Sequence, residues 1–257
     1  MAPRRGRGIA IPATPAWPPK SLPRLFVRQP LDEGARVELD AAQANYLGNV
    51  LRMNEGGELL LFDGGSGEWL ARITETGKKR MVLSVERRTR EAETIPDVWL
   101  AFAPVKRSQT DWLVEKATEL GVARLMPVTT QRTVVERVKL ERLQAIAVEA
   151  AEQCGRTILP DIGEPVPLIR LLEERADARR LYFADEAGGE PAANAFKPGP
   201  ALILTGPEGG FTDEERTAIR AAPNAVPVSL GPRILRAETA ALAALATYMA
   251  VAGDWRG

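Results

Sequence analysis

Residues 97–251 alternate between short apolar runs and segments in which apolar residues recur with a helical period. This alternation is typical of α/β folds, in which helices cover both faces of a parallel sheet. We therefore predict a parallel-sheet domain in this part of the chain. The predicted strands are 97–104, 124–129, 180–185, 201–205 and 225–230. The predicted helices are 109–120, 139–154, 167–175, 213–222 and 237–251.

Two turns in the last quarter of the chain share one design. The first, Thr-Gly-Pro-Glu-Gly-Gly (205–210), follows an apolar strand and precedes a helix, whose start is marked by the capping-box pair Thr212 and Glu215. The second, Gly-Pro (231–232), likewise joins an apolar strand to an alanine-rich helix. Turns that leave the carboxyl ends of neighbouring parallel strands commonly enclose a ligand. The two turns are therefore predicted to form the walls of one pocket.

The glycine turn 205–210 is compatible with two interpretations. It lacks the Gly-x-Gly-x-x-Gly of dinucleotide sites and the Gly-Lys-Ser/Thr of phosphate loops. Its glycines either serve only a tight turn with positive φ or let main-chain groups approach a flat ligand such as adenine. Apolar residues in and beside the two turns favour an adenosine-like ligand. These residues are Leu204, Leu230, Ile234 and Leu235.

Residues 24–90 are predicted to form a compact β-barrel of about 65 residues. Short β-like segments separated by glycine-containing turns, with one helical piece at 41–51, support this interpretation. Residues 1–23 are rich in Pro, Arg, Gly and Ala and are predicted to be a disordered tail. The β-like segments are 24–27, 36–39, 58–63, 68–73 and 80–85.

The chain contains no histidine and one cysteine, Cys154. Without histidine, Ser-His-Asp and Cys-His nucleophile systems are excluded and zinc sites lose their commonest ligand, so no metal is expected. A single cysteine permits no internal disulfide, and no apolar run approaches the roughly 20 residues of a membrane-spanning helix. We therefore expect a cytoplasmic protein whose chemistry depends on carboxylates, arginine, lysine, main-chain groups or a cofactor.

The net charge is zero, but the charges are unevenly distributed. Residues 1–90 contain 15 Lys and Arg against 10 Asp and Glu, whereas residues 91–257 contain 19 against 24. A basic domain beside a slightly acidic one is typical of a polyanion-binding module next to a catalytic one. A chance excess on solvated surfaces would give the same count. The basic side of the first domain is predicted at positions 52, 72, 78, 79, 80, 87 and 88.

Two motifs carry a family resemblance: Leu-Thr-Gly-Pro-Glu-Gly-Gly-Phe (204–211) and Leu-Gly-Pro-Arg-Ile-Leu-Arg-Ala-Glu-Thr-Ala (230–240). Together they resemble the signature of the bacterial 16S ribosomal RNA uracil-N3 methyltransferases, which belong to the SPOUT class of trefoil-knotted methyltransferases. Further matches extend the resemblance over about residues 24–252, and they are Arg-Leu-Phe-Val (24–27), Asn-Tyr-Leu-Gly-Asn-Val-Leu-Arg (45–52), Lys106, Glu-Lys-Ala-Thr-Glu-Leu-Gly-Val (115–122) and Glu-Gln-Cys-Gly-Arg (152–156).

The resemblance implies an α/β fold with a SPOUT-type knotted methyltransferase domain at 95–257 and an N-terminal PUA-like β-barrel at 24–90 that helps to bind RNA. It also implies a homodimer with the knots at the interface, and S-adenosylmethionine as a cofactor held in the knot by main-chain groups. The chain departs from the family at Asn45 and Tyr46, where histidine is common, so any RNA contact there must differ. The implied cofactor positions are Leu204, Thr205, Gly206, Glu208, Gly209, Leu230, Gly231, Ile234 and Leu235.

Methylation at uracil N3 requires that N3 lose a weakly acidic proton. With no histidine available, a carboxylate can accept the proton and an arginine can stabilise the negative charge that develops on O2 or O4. We hypothesise Arg236 as the charge stabiliser and Glu208 or Glu238 as the group that accepts the proton or orients the reactants. The alternative is structural, with Glu238 stabilising the start of the last helix and Arg236 pairing with it.

Basic side chains are the usual partners of RNA phosphates, and six are predicted to contact RNA. Each of them can equally be a solvated surface charge. The six are Arg24, Arg52, Arg72, Lys106, Arg132 and Arg156.

The sequence thus favours an S-adenosylmethionine-dependent enzyme that methylates N3 of a specific uridine in the 16S ribosomal RNA of the small subunit. Two alternatives stay open. One is a knotted methyltransferase that acts on another RNA site, such as a ribose 2′-hydroxyl. The other is a non-catalytic RNA-binding or ribosome-assembly protein that keeps the same fold.

Overall fold

Two domains follow one another along the chain. Most of the predicted tail lies outside the described residues, as do the basic positions Lys78 and Lys79. No helix in the described part is long and apolar enough to cross a membrane. The computed structural model describes four segments, which are 22–77, 80–135, 137–174 and 178–256.

The N-terminal domain is a five-stranded sheet with one short helical segment. The strands are β1 Arg24–Phe26, β2 Arg36–Leu39, β3 Glu58–Phe62, β4 Glu68–Gly77 and β5 Arg80–Arg90. The helix α1 spans Ala41–Asn45 and continues into a π-helix at Tyr46–Val50. The strand order is β1-β3-β4-β5-β2, with β1 parallel to β3 and the other pairs antiparallel.

Side-chain hydrogen bonds connect the two outer strands of this sheet. Gln29, just after β1, donates from Nε2 to the carbonyl oxygen of Glu38 in β2 at 2.9 Å. Gln43 of α1 donates from Nε2 to the carbonyl oxygen of Phe26 in β1, also at 2.9 Å. These contacts bring β2 and the segment after β1 close together, so the sheet curves towards the predicted small barrel, although no main-chain pairing joins β1 to β2 among the described residues.

Strands β4 and β5 extend beyond the segments that the apolar pattern predicted. The last four residues of β4 are exposed on both faces, yet they remain paired with β5 as far as Gly77 and Arg80. A pattern of apolar residues reports burial, whereas the main-chain hydrogen bonds of a hairpin continue without it. The predicted strands 68–73 and 80–85 therefore stop at the last buried residue of each strand, whereas the observed strands continue to Gly77 and Arg90.

The C-terminal domain alternates strands and helices, and the five predicted strands and five predicted helices are confirmed. The strands are β6 Val98–Phe102, β7 Arg124–Thr129, β8 Asp161–Ile162, β9 Val166–Pro167, β10 Arg180–Ala184, β11 Glu190–Pro191, β12 Ala201–Thr205 and β13 Ala225–Ser229. The helices are α2 Arg107–Glu119, α3 Leu140–Cys154, α4 Leu168–Glu174, α5 Ala192–Ala195, α6 Asp213–Ala221 and α7 Ala237–Val251, followed by a 3-10 turn at Asp254–Arg256. The sequence analysis missed β8, β9, β11 and α5, which are too short to show a period.

All strand pairs of this domain are parallel among the described residues, and the order is β11-β13-β10-β12-β6-β7-β8, with β9 beside β7. Strand β10 lies between β12 and β13, although it precedes both in the chain. The loops that leave these three strands therefore meet at one edge of the sheet.

Two apolar cores cover opposite faces of the sheet. Along β10, Tyr182 belongs to the core formed with α2, α3, α5 and α7, whereas Leu181 and Phe183 belong to the core formed with α4 and α6. Successive side chains of a strand point to opposite faces, so a strand covered on both sides is apolar throughout. This is why the central strands appear in the sequence as continuous apolar runs.

A buried carboxylate and two arginines hold the domains together. Glu68 of β4 forms ion pairs with Arg24 and Arg90 at 2.8 and 2.9 Å. Arg24 also donates from Nη1 to the carbonyl oxygen of Ala151, at 2.7 Å. Arg90 donates from Nη2 to the carbonyl oxygen of Gly155, at 2.6 Å. Nη1 of Arg24 donates to the carbonyl oxygen of Glu152 as well, at 3.1 Å, whereas the Ala151 carbonyl also accepts the N–H of Gly155 at 3.2 Å. The two arginines thus cap the end of α3 from the neighbouring domain.

The assignment of Arg24 and Arg156 to RNA contact is wrong, because both side chains are used inside the protein. The Arg24 side chain is 12% exposed and serves the interface described above. Arg156 is 5% exposed, and its Nη1 donates to the carbonyl oxygens of Thr118 and Val122 at 2.8 and 3.0 Å. A phosphate cannot reach either guanidinium while these contacts exist.

Replacing Glu68 with glutamine is expected to destabilise the protein by about 3 kcal/mol at pH 7, because two interface arginines lose their counter-charge. Burial alone would raise the pKa of the Glu68 carboxyl, but hydrogen bonds and charge from Arg90 and Arg24 outweigh burial and lower that pKa. The stabilisation is therefore present above the pKa of the unfolded state and is lost as the pH falls through the folded-state pKa. Urea unfolding at pH 7 and at acidic pH measures both effects.

The matched control is Glu75→Gln, because Glu75 is an exposed carboxylate of the same strand that pairs with Arg36 on the surface. This change is expected to alter the unfolding free energy much less than Glu68→Gln. Equal effects of the two substitutions would contradict the role given to Glu68. So would a difference between wild type and Glu68→Gln that stays constant as the solution is acidified.

Candidate functional site

A cavity of about 400 Å³ opens where β10, β12 and β13 end. Its walls come mainly from three loops, at 184–188, 205–211 and 228–237. Cavities of about 300–1,000 Å³ are usual for small-molecule ligands, and the carboxyl edge of a parallel sheet is where they commonly lie. The two turns singled out in the sequence therefore do share one pocket.

The glycine loop after β12 is tightly packed, which explains two of its glycines. A Cβ on Gly206 would lie 3.2 Å from the ring of Phe211, and a Cβ on Gly210 would lie 2.7 Å from Oε1 of Glu186. Gly210 also has φ +67°, a conformation that other residues rarely adopt. Its N–H donates to the carbonyl oxygen of Pro207 at 2.9 Å, which closes the turn.

The helix that follows this loop begins with the predicted capping box. The N–H of Glu215 donates to Oγ1 of Thr212 at 3.2 Å, and the N–H of Thr212 donates to Oε2 of Glu215 at 3.0 Å. Oε1 of Glu215 accepts from the N–H of Gln131, in the loop after β7, at 2.7 Å. The buried Glu215 therefore fixes both the start of α6 and the neighbouring loop.

The loop between β13 and α7 provides the opposite wall. Gly231 has φ +107°, and a Cβ there would meet no atom within 4 Å. Ile234 is 98% exposed. Arg236 immediately precedes α7 and forms no side-chain cap for it. Its guanidinium is thus not committed to the helix start.

The cavity brings together most of the predicted cofactor positions. Leu204 is not among them, because its side chain is fully buried in the core below. Gly209 also lies outside the lining, and its carbonyl oxygen accepts a hydrogen bond from Nη1 of Arg132 at 2.6 Å. The predicted positions that line the cavity are Thr205, Gly206, Glu208, Leu230, Gly231, Ile234 and Leu235.

Two of the three hypothesised catalytic side chains belong to the cavity. Arg236 and Glu208 line it, and both are exposed. Glu238 does not line it and is only 8% exposed, in the first turn of α7. A carboxylate in that position stabilises the positive end of a helix dipole, which favours the structural alternative for Glu238.

Sequence reasoning missed a charged cluster on the third wall of the cavity. Asp185, directly after β10, is buried and pairs through Oδ1 with Nε of Arg216 at 3.2 Å. Its Oδ2 accepts a hydrogen bond from Nη2 of Arg220 at 2.5 Å. Glu186 pairs with Arg216 at 2.9 Å. The predicted strand 180–185 was the available signal, but only the strand order shows that its end belongs to this site.

The four remaining predicted RNA contacts are all on the surface. Arg52 and Lys106 are exposed. Arg72 shares its guanidinium between Glu58 and Glu86, at 2.6 Å each. Arg132 is exposed and lies against the glycine loop through Gly209. They lie in both domains, and Arg132 is next to the cavity.

The lining of the cavity suits a nucleoside that carries charged groups. Among the described residues, no group of three or more metal-ligating side chains is placed to hold a metal ion. The apolar lining residues are Ala184, Pro207, Phe211, Val228, Leu230, Pro232, Ile234, Leu235, Ala237 and Ala240. The charged lining residues are Asp185, Glu186, Glu208, Arg216, Arg233 and Arg236.

The chain matches the RNA methyltransferase domain family over residues 91–249 and the RNA methyltransferase PUA domain family over residues 39–86. A relative from Synechocystis sp., named ribosomal RNA small subunit methyltransferase E, is 36% identical over 225 residues, which cover 84% of this chain and 74% of the relative. A relative of the same name from Rickettsia conorii is 30% identical over 229 residues, covering 87% of this chain and 93% of the relative.

Solved structures agree with these matches. The crystal structure of a ribosomal RNA small subunit methyltransferase E from Neisseria gonorrhoeae, bound to S-adenosyl methionine, has a TM-score of 0.83 and 30% sequence identity, and the match covers 91% of this chain and 99% of that one. The resemblance drawn from the two motifs is confirmed, as is the PUA-like nature of the N-terminal domain. The chain belongs to the ribosomal RNA small subunit methyltransferase E family of RNA methyltransferases.

Proposed function

We propose that this protein transfers a methyl group from S-adenosylmethionine to N3 of a specific uridine in the 16S ribosomal RNA of the small subunit. The observation that carries the proposal is the shared cavity, in which the glycine loop faces the loop that bears Arg236. Support also comes from relatives named ribosomal RNA small subunit methyltransferase E, and from the S-adenosyl methionine bound to the Neisseria protein.

The residues of the cavity fit this cofactor. The apolar side chains of Leu230 and Leu235 can cover an adenine ring, while main-chain groups of the two loops can hydrogen-bond its edge. The open space in front of Gly231 allows a ligand to approach the backbone closely. When bound, S-adenosylmethionine supplies a methyl group on a positively charged sulfur.

Arg236 and Glu208 supply the protein's share of the chemistry. The exposed Arg236 guanidinium can hydrogen-bond O2 or O4 of the uracil and stabilise the negative charge that develops there as N3 loses its proton. The exposed Glu208 carboxylate can accept that proton, directly or through one water. Glu238 keeps a structural role at the start of α7 because it is buried outside the cavity.

RNA binding involves both domains in this proposal. Arg52 and Lys106 contact phosphates from exposed positions, and Arg132 does so beside the cavity. Arg72 joins them only if it exchanges its partners Glu58 and Glu86 for a phosphate. We also propose that the enzyme works in the cytoplasm, which is supported by relatives named for methylation of small-subunit ribosomal RNA.

We also propose that the working form is a homodimer through the C-terminal domain. Ile234 is almost fully exposed although it belongs to a loop of the cavity, and a second copy of the chain would cover it. The trefoil knot at this end of the chain remains a prediction from the family resemblance.

The direct test is to incubate the protein with 30S subunits and labelled S-adenosylmethionine and then identify the modified nucleoside. The expected product is 3-methyluridine in 16S ribosomal RNA. A ribose methyl group would favour a methyltransferase of different site specificity. If no methyl group is incorporated by a correctly folded dimer that binds the RNA, the protein is an RNA-binding or assembly factor instead.

Arg236→Ala is expected to slow methyl transfer by about 100- to 1,000-fold, the usual effect of removing one stabiliser of developing negative charge. Affinity for S-adenosylmethionine is expected to change little, because the guanidinium acts on the uracil. Single-turnover kinetics and calorimetry measure the two quantities. Arg170→Ala, at an exposed position of α4 paired with Glu174, is the control for nonspecific loss of charge. Turnover that survives Arg236→Ala would remove this residue from the mechanism.

Gly231→Ala and Gly199→Ala form a matched pair for the cofactor site. Both glycines have φ above +100°, and neither would place a Cβ within 4 Å of another atom. Backbone strain is expected to cost each variant about 1–3 kcal/mol of stability. Only Gly231→Ala is expected to weaken S-adenosylmethionine binding, by about tenfold or more, because relief of the strain moves main-chain groups of the cavity. Equal cofactor affinities of the two variants in calorimetry would argue against main-chain recognition at this loop.

A further inference from the structure

We propose that the carboxylate of Glu186 binds the 2′- and 3′-hydroxyls of the ribose in the methyl donor. The inference rests on the proposed function and deepens it, since it adds a recognition residue from a loop that neither sequence motif contains. Glu186 lies two residues after β10 and lines the cavity.

The position of β10 determines which part of a ligand Glu186 can reach. This strand lies between β12 and β13, so a ligand that touches the loops after both of those strands must cross the end of β10. In S-adenosylmethionine the ribose connects the adenine to the sulfur. With the adenine held by main-chain groups of the two outer loops, the ribose comes to lie over the central one.

The Glu186 side chain is held in place beside the glycine loop. Its Oε1 accepts a hydrogen bond from Nη2 of Arg216 at 2.9 Å. The missing side chain of Gly210 makes room for it, because a Cβ there would be 2.7 Å from Oε1. Oε2 has no hydrogen-bond partner among the described residues. One oxygen therefore orients the carboxylate, and the other is left to accept from a ligand.

Its neighbour Asp185 cannot take this role, because its carboxylate is already used. Oδ1 of Asp185 accepts from the N–H of Ala187 at 3.0 Å, and Oδ2 accepts from Arg220. Arg216 lies at 3.2 Å from Oδ1 as well. Of the two acidic residues on this loop, Glu186 is therefore the one whose carboxylate has an oxygen, Oε2, available to accept a hydrogen bond from a ligand.

The charge around Glu186 favours hydroxyl donors over the ammonium group of the methionine part. An ammonium at this carboxylate would lie close to the Arg216 guanidinium, and like charges at short range repel each other. Hydroxyl groups carry no such cost, and hydrogen bonds to an ionised acceptor are stronger than those to a neutral one. A carboxylate at the edge of a parallel sheet binds ribose in the same way in dinucleotide-binding folds.

The test compares three ligands by calorimetry: S-adenosylhomocysteine, its 2′,3′-dideoxy form, and its deaminated form. Glu186→Ala is expected to weaken binding of S-adenosylhomocysteine by about tenfold or more, the usual effect of losing a charge-assisted hydrogen bond. The same loss is expected for the deaminated ligand. Against the dideoxy ligand, wild type and variant are expected to bind equally, because the groups that Glu186 recognises are gone.

Asp213→Ala is the matched control, because Asp213 also pairs with Arg216, at 3.4 Å, but is 95% exposed and does not line the cavity. It is expected to leave all three affinities unchanged. A loss in Glu186→Ala that disappears with the deaminated ligand would assign the residue to the ammonium group and overturn the inference. Unchanged binding by Glu186→Ala would overturn it while leaving the proposed function intact. Failure of the wild-type protein to bind S-adenosylhomocysteine would remove both.

Discussion

The pairing of β10 with both β12 and β13 determines the arrangement of the whole functional end of the molecule. Main-chain hydrogen bonds fix this order, and apolar side chains cover the strands on both faces. The loops that follow these three adjacent strands therefore lie next to one another at the carboxyl edge of the sheet. As a result, the glycine loop after β12 faces the loop after β13 that bears Arg236, and the acidic loop after β10 lies between them.

Local patterns in the sequence were sufficient to predict the strands and helices, but not to predict which strands lie next to one another in the sheet. The strands at 124–129 and 201–205 were predicted with the bounds that the structure has, because each is apolar and ends at a polar or glycine residue. No local pattern states that β10 separates two strands that follow it in the chain. Glu186 and Arg216 were therefore missed, whereas the pocket shared by the two motif loops was predicted from their repeated strand–turn–helix design.

The errors among the arginines have the same physical origin. Arg24 and Arg156 look in the sequence like Arg52, since each is a single cation with no charged residue directly beside it. Their difference lies in what surrounds them after folding: helix-end carbonyls for the first two and solvent for the third. An arginine can stabilise a fold by donating several hydrogen bonds at once, and only the tertiary structure shows which arginines do so.

The cross-domain caps of α3 have a consequence for how this chain can change over time. Arg24 and Arg90 bind carbonyl oxygens, which every amino acid possesses. Substitutions along the last turn of α3 leave those acceptors in place, whereas loss of either guanidinium or of Glu68 does not. The carbonyl acceptors of the joint are therefore tolerant of mutation, whereas four side chains are not: Arg24, Glu68 and Arg90 of the N-terminal domain, and Glu152 of α3, whose carboxylate accepts the N–H of Phe26 at 2.9 Å.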